Sequence, residues 1–168
     1  MRARLFVFAL GAALLVTIWQ LWPSDERRIR RLVYELSEVF DGRPASSDIE
    51  RVARLAPLAR VLASDVVIDG FSDETAGEPG SVRGRDAVVA AAMAALRQLP
   101  DLVVSVTSVD VRVRRGTPNA TATAGLSISG AAGRDERWRE VRELKLELTR
   151  QDDVWLVTHL APVRVLTP

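Results

Sequence analysis

The sequence has no cysteine, one histidine and one tyrosine. The lack of cysteine excludes disulfide staples, thiolate catalysis, cysteine-ligated zinc and a lipid-modified cysteine anchor. One histidine, His159, is too few for a transition-metal site built on imidazoles, so no metal and no cofactor is expected. A surplus of positive charge is lacking too. Formal net charge is +1, and without Arg2 and Arg4 the remaining 21 basic residues face 22 acidic ones. Nucleic-acid binding needs a clustered cationic surface, so that class of partner is excluded.

One long apolar run is present. Leu5 to Trp22, LFVFALGAALLVTIWQLW, carries no charge. At the rise of an α-helix it would span about 27 Å, close to the hydrocarbon thickness of a bilayer. Trp19 and Trp22 lie at one end, where aromatic rings favour the membrane interface, and Pro23 follows. The run reads as an uncleaved, single-pass signal anchor. A cleaved signal peptide is the alternative, but it needs small residues where Gln20, Leu21 and Trp22 stand. Arg2 and Arg4 favour a cytoplasmic N-terminus, whereas Arg27, Arg28, Arg30 and Arg31 pull the other way. The expected placement is the inner membrane with the domain in a periplasm. The expected division is a basic N-terminus over 1–4, an anchor over 5–22 and one domain over 24–168. Arg27 to Arg31 read either as contacts for anionic lipid headgroups or as a solvated helix face.

The domain begins with helical periodicity. Ser24 to Phe40 places Ile29, Leu32, Val33, Leu36 and Phe40 on one stripe, with Ser24 as N-cap. Ser47 to Leu62 places Ile49, Val52, Leu55, Ala56, Ala59 and Leu62 on another, and Pro57 predicts a kink or a break. Val66 to Asp69 reads as a short strand and Gly70 to Gly84 as loop. That loop carries Asp73, Glu74 and Glu78 without the ordered oxygen spacing that calcium requires. An alanine-rich helix follows from Asp86 to Leu99, suited to close approach by a sheet.

Four strands complete the chain: Leu102–Arg114, Ala120–Ser129, Trp138–Arg150 and Val154–Leu166. Val104 and Val106 share one parity and Val109, Val111 and Val113 the other, which predicts a β-bulge near Thr107-Ser108. Hairpin-length connections predict an antiparallel meander. Helices first and strands last give an α+β class, with three helices on a curved antiparallel sheet.

Three stretches, VLASDVVIDG (Val61–Gly70), VRGRDAVVAAAMAALRQLPDLVVSV (Val82–Val106) and QDDVWLVTHLAPVRV (Gln151–Val165), resemble the nuclear transport factor 2-like superfamily, which includes SnoaL-type cyclases and ketosteroid isomerases. The resemblance covers about 140 residues and implies a cone-shaped fold whose cavity takes a small apolar ligand. It also implies a general-base aspartate near the end of the first strand and a tyrosine on helix 1. Asp69 and Tyr34 are the nearest matches, but the isomerase position falls on Gly70, one residue past Asp69, and so on the opposite strand face. Tyr34 lies roughly 140° around the helix from its apolar stripe. His159 shares parity with Trp155, Val157, Ala161 and Val163, so it is a further acid–base or ligand-binding candidate, and Trp155 a ligand-lining one.

Two functions stand open. One is a membrane-anchored, non-catalytic binding or assembly module, resembling periplasmic scaffold domains, with a second copy or a membrane complex as partner. The other is a SnoaL-like enzyme of isomerase, cyclase or hydrolase type, with His159, Asp69 and Tyr34 acting on a small hydrophobic ligand.

Overall fold

The computed structural model describes residues 24–71, 80–132 and 136–163. The Leu5–Trp22 run lies outside them, and among the described residues no helix is long and apolar enough to cross a membrane. Among the described residues there are three helices, α1 (Asp25–Glu38), α2 (Asp48–Val61) and α3 (Arg85–Gln98). Six strands of the described residues form one sheet: β1 (Leu62–Phe71), β2 (Gly80–Arg83), β3 (Val103–Val113), β4 (Asn119–Ala132), β5 (Glu136–Gln151) and β6 (Val154–Pro162).

The start of α1 follows from its first residues. The Ser24 hydroxyl accepts the amide of Arg27, and Asp25 and Glu26 sit in the first turn, where carboxylates favour the exposed amides. Ile29, Leu32 and Val33 are buried on the inward stripe. Ser47 caps α2 by accepting the Glu50 amide, while Glu50 Oε2 accepts from the Ser46 amide at 2.8 Å. Together these satisfy two donors at the helix entrance.

Pro57 does not break α2, which runs unbroken from Asp48 to Val61. Leu55 before it and Leu58 and Leu62 after it are all buried, so packing holds both halves on one course. This changes the expected buried stripe in part: Leu55 and, at the start of β1, Leu62 are buried as expected, but Ile49 is 82% exposed and Val52 59%, and Leu58 joins the inward face.

The sheet order is β2-β1-β6-β5-β4-β3. β3 to β6 form the expected antiparallel meander, but β1 pairs with β6 in parallel, so the sheet is mixed rather than antiparallel. β2 was expected to be loop; Gly80–Arg83 pairs instead with β1, Val67 opposite Arg83 and Ile68 opposite Val82. β4 and β3 shift register between Val106 and Ser108, the bulge that the valine parity implied. Gly125 stands opposite, and any Cβ there would collide with the Thr107 and Ser108 side chains. A second bulge interrupts β5 and β6: Glu147 pairs with His159 and Leu148 with Val157, leaving Thr158 as the extra residue.

Helices cover one face of the sheet. Ile29, Leu55, Val66, Ala122, Leu148 and Val157 form the centre of a single core. The entry of α1 is fixed to the far end of the sheet. Asp25 accepts the Trp155 indole N–H at 3.2 Å and the Arg150 guanidinium at 3.3 Å. Arg150 also lies over the Trp155 ring, 5.9 Å from its centroid.

Candidate functional site

A cavity of about 330 Å³ lies between the helices and the concave face of the sheet. Val33, Leu36, Ser37 and Phe40 of α1 form one wall, Leu58 of α2 and Val88 of α3 another. Leu126, Leu144, Leu146, Val157 and Leu160 form the floor. Ala91, Ala92 and Ala95 of α3 also line the cavity, with short side chains that leave space beside them. Among the described residues, Ser37 is the sole lining residue with a polar side chain, and its hydroxyl donates to Tyr34 O on its own helix at 2.7 Å. No ionisable side chain lines the cavity among the described residues.

The four candidate residues from the sequence lie elsewhere. Ile68 and Leu160 line the cavity, so their strand neighbours Asp69 and His159 turn to the opposite, convex face. There they meet: His159 Nε2 lies 2.8 Å from Asp69 Oδ2. A carboxylate only accepts, so the ring proton belongs on Nε2. His159 does not share the face of Trp155 and Val157, because the Thr158 bulge inverts the alternation between them. Tyr34 is 42% exposed and apart from the cavity lining. Trp155 is 4% exposed, yet it packs under the start of α1 and is not a cavity wall. The three acid–base candidates therefore do not converge on one pocket.

Glu147 is a residue that the sequence reading missed. Its Oε2 is 4.0 Å from His159 Nδ1, and its Oε1 accepts from Lys145 Nζ at 2.9 Å. The Lys145 hydrogen bond holds the Glu147 carboxyl below its ordinary value, with smaller help from the charges of Lys145 and His159 and against some desolvation. The strict alternation Leu144-Lys145-Leu146-Glu147-Leu148 was the available signal, since it sends Lys145 and Glu147 to one face. Beside this cluster runs an open polar groove bordered by Arg112, Arg114 and Thr121. Among the described residues, no group of three or more histidine, aspartate or glutamate side chains could hold a metal ion. Chemically, the concave site can sequester apolar surface and, among the described residues, holds no ionisable group. The convex cluster has proton-bearing groups but no apolar enclosure.

An α+β domain with helices over a curved mixed sheet and an apolar cone is a common ligand-binding scaffold. The SnoaL-like domain family matches residues 24–161, and the chain belongs to that family. No functionally curated protein is similar in sequence. Among solved structures, a protein of Kribbella flavida superposes with a TM-score of 0.64 at 20% identity, covering 83% of this chain and 90% of that one. A proposed dehydratase of the nuclear transport factor 2-like family from Streptomyces avermitilis gives 0.62 at 14% identity, covering 84% and 99%. A proposed aromatic ring hydroxylase from Novosphingobium aromaticivorans gives 0.61 at 15% identity, covering 86% and 90%. At these identities the likeness is one of fold.

Proposed function

We propose that this chain is a membrane-tethered binding module that holds a small apolar ligand, or an apolar side chain of a partner, in its cone cavity without transforming it. The observation that carries the reading is the lining: apolar throughout except Ser37, whose hydroxyl is already committed. Acid–base chemistry needs a titratable group within hydrogen-bond reach of the substrate, and His159 and Asp69 are on the other side of the sheet. The activities named for the Streptomyces and Novosphingobium proteins are therefore not carried over. The volume supports a ligand larger than benzene, for which a cavity of about 150 Å³ suffices. The Leu5–Trp22 run supports tethering, with the domain on the periplasmic side.

Among the described residues the core lies within 24–163, and the family match spans 24–161, which supports the use of a fragment starting at Ser24. Titration of that fragment with N-phenyl-1-naphthylamine is expected to give saturable fluorescence enhancement. Ala92→Phe, which fills the cavity, is expected to abolish it while leaving the fold intact. Equal binding by both proteins would count against the cavity as the site.

A further inference from the structure

The end of the domain from which the N-terminal run departs carries exposed arginines from two separate parts of the chain. The apolar run ends at Trp22, and Ser24 already caps α1. α1 cannot swing on a linker, because Asp25 is held by Trp155 and Arg150. The Arg150 amide in turn donates to Pro118 O at 2.7 Å, which brings in the turn between β3 and β4. The α1 entrance, the β3–β4 turn and the β5–β6 turn thus share one end of the molecule. That end presents Arg27, Arg28 and Arg31 from α1 and Arg114 and Arg115 from the β3–β4 turn, all exposed. Arg31 is about 9 Å along the helix axis from Asp25, within reach of a surface at the helix entrance. Arg28, Arg31, Arg114 and Arg115 make no ion pair among the described residues, and the cations outnumber the exposed carboxylates Glu26, Asp152 and Asp153.

We propose that this end docks on the anionic headgroups of the bilayer that receives Leu5–Trp22, so that the domain lies against the membrane in one orientation. The proposal rests on the tethering reading above. Its occupant is a lipid surface because the run that ends at Trp22, three residues before Asp25, leaves no distance for a protein partner to intervene. Held this way, the convex-face cluster of Asp69, His159 and Glu147 and the exposed Ile49 and Val52 of α2 are both left open to the aqueous side.

The test uses the full chain mixed with vesicles of phosphatidylcholine alone or of phosphatidylcholine with phosphatidylglycerol. Flotation reports the tether, and amide exchange at Gly116 and Thr117 reports docking. The chain is expected to float with both vesicles, with exchange in the turn roughly tenfold slower only where phosphatidylglycerol is present, as several near-surface cations would give. Replacing Arg28, Arg31, Arg114 and Arg115 by Gln is expected to remove that protection without affecting flotation. Arg142→Gln, midway along β5, leaves it intact. A chain that fails to float overturns the tether and the docking together. A chain that floats but shows the same exchange on both vesicles, or protection that survives the fourfold variant, overturns the docking alone.

Discussion

His159 and Asp69 join across the parallel pairing of β6 and β1, Nε2 to Oδ2 at 2.8 Å, on the sheet face turned away from the cavity. The pair bridges residues that are 90 apart in the chain, so its role is to fasten two interior strands of the sheet, β1 and β6. Replacing His159 by Gln is expected to lower stability by about 0.5–1 kcal/mol, the small end for a hydrogen bond because both groups are partly in water. Probe binding in the cavity should be unchanged. Chemical denaturation and probe titration on the same variant check both halves; loss of binding would give the pair a functional part that its position argues against.

Asp25 is the other long-range fastener. Asp25→Ala leaves the Trp155 indole and the Arg150 guanidinium without their acceptor. The expected cost is about 1–2 kcal/mol, since one donor is charged and the indole is buried. The loss should appear as a lower denaturation midpoint with an unchanged slope. Increased exchange confined to the first turn of α1 would mark the site of the loosening.

Glu147 gives the domain a pH dependence whose sign is fixed. Its carboxyl lies below the ordinary 4.5 in the folded state because Lys145 donates to it. A depressed carboxyl binds its proton more readily when unfolded, so its contribution is present above that value and fades as pH falls through the lower folded one. The stability difference between the native chain and Glu147→Gln should therefore be constant near neutrality and shrink below about pH 4.5. Glu50 behaves in the same sense, with hydrogen bonds from Ser46 as the leading cause. A difference that grew on acidification would contradict the assignment.

Pro57 offers a test of how packing overrides local preference. A proline inside a helix forfeits the bond to the carbonyl four residues back, here Ala53. Pro57→Ala should restore that bond and stabilise the domain by about 1–3 kcal/mol, less whatever packing the ring supplies. Thermal unfolding decides it: a lowered midpoint would mean that the packing of the proline ring outweighs the missing hydrogen bond.

What could be read in advance divides by the range of the signal. The valine parity slip at Thr107-Ser108 is local and discloses its own bulge. The bulge at Thr158 is hidden, because Val154 to Val163 is apolar on both parities, so nothing in the run shows the alternation changing. That one residue moved His159 from an expected cavity wall to the convex face. The parallel pairing of β1 with β6 and the short β2 depend on contacts between distant segments, which no window of sequence contains. In α2 the periodicity joins Ile49, Val52 and Ala56 to Leu55 on one stripe, yet only Leu55 of these four is buried, together with Leu58. The core, not the periodicity, selects the leucines. The cavity itself was implied by family likeness alone, since its apolar lining looks in sequence like ordinary core.

The central claim is that an apolar guest enters the cone. Methyl NMR of the Ser24-onward fragment, recorded with and without N-phenyl-1-naphthylamine, tests it directly. Saturable shifts are expected at Leu126, Leu144 and Leu160, which line the cavity, with Ile49 and Val141 on the surface unmoved. Shifts confined to Ile49, Val52 and Val141, with the cavity methyls unchanged, would contradict it.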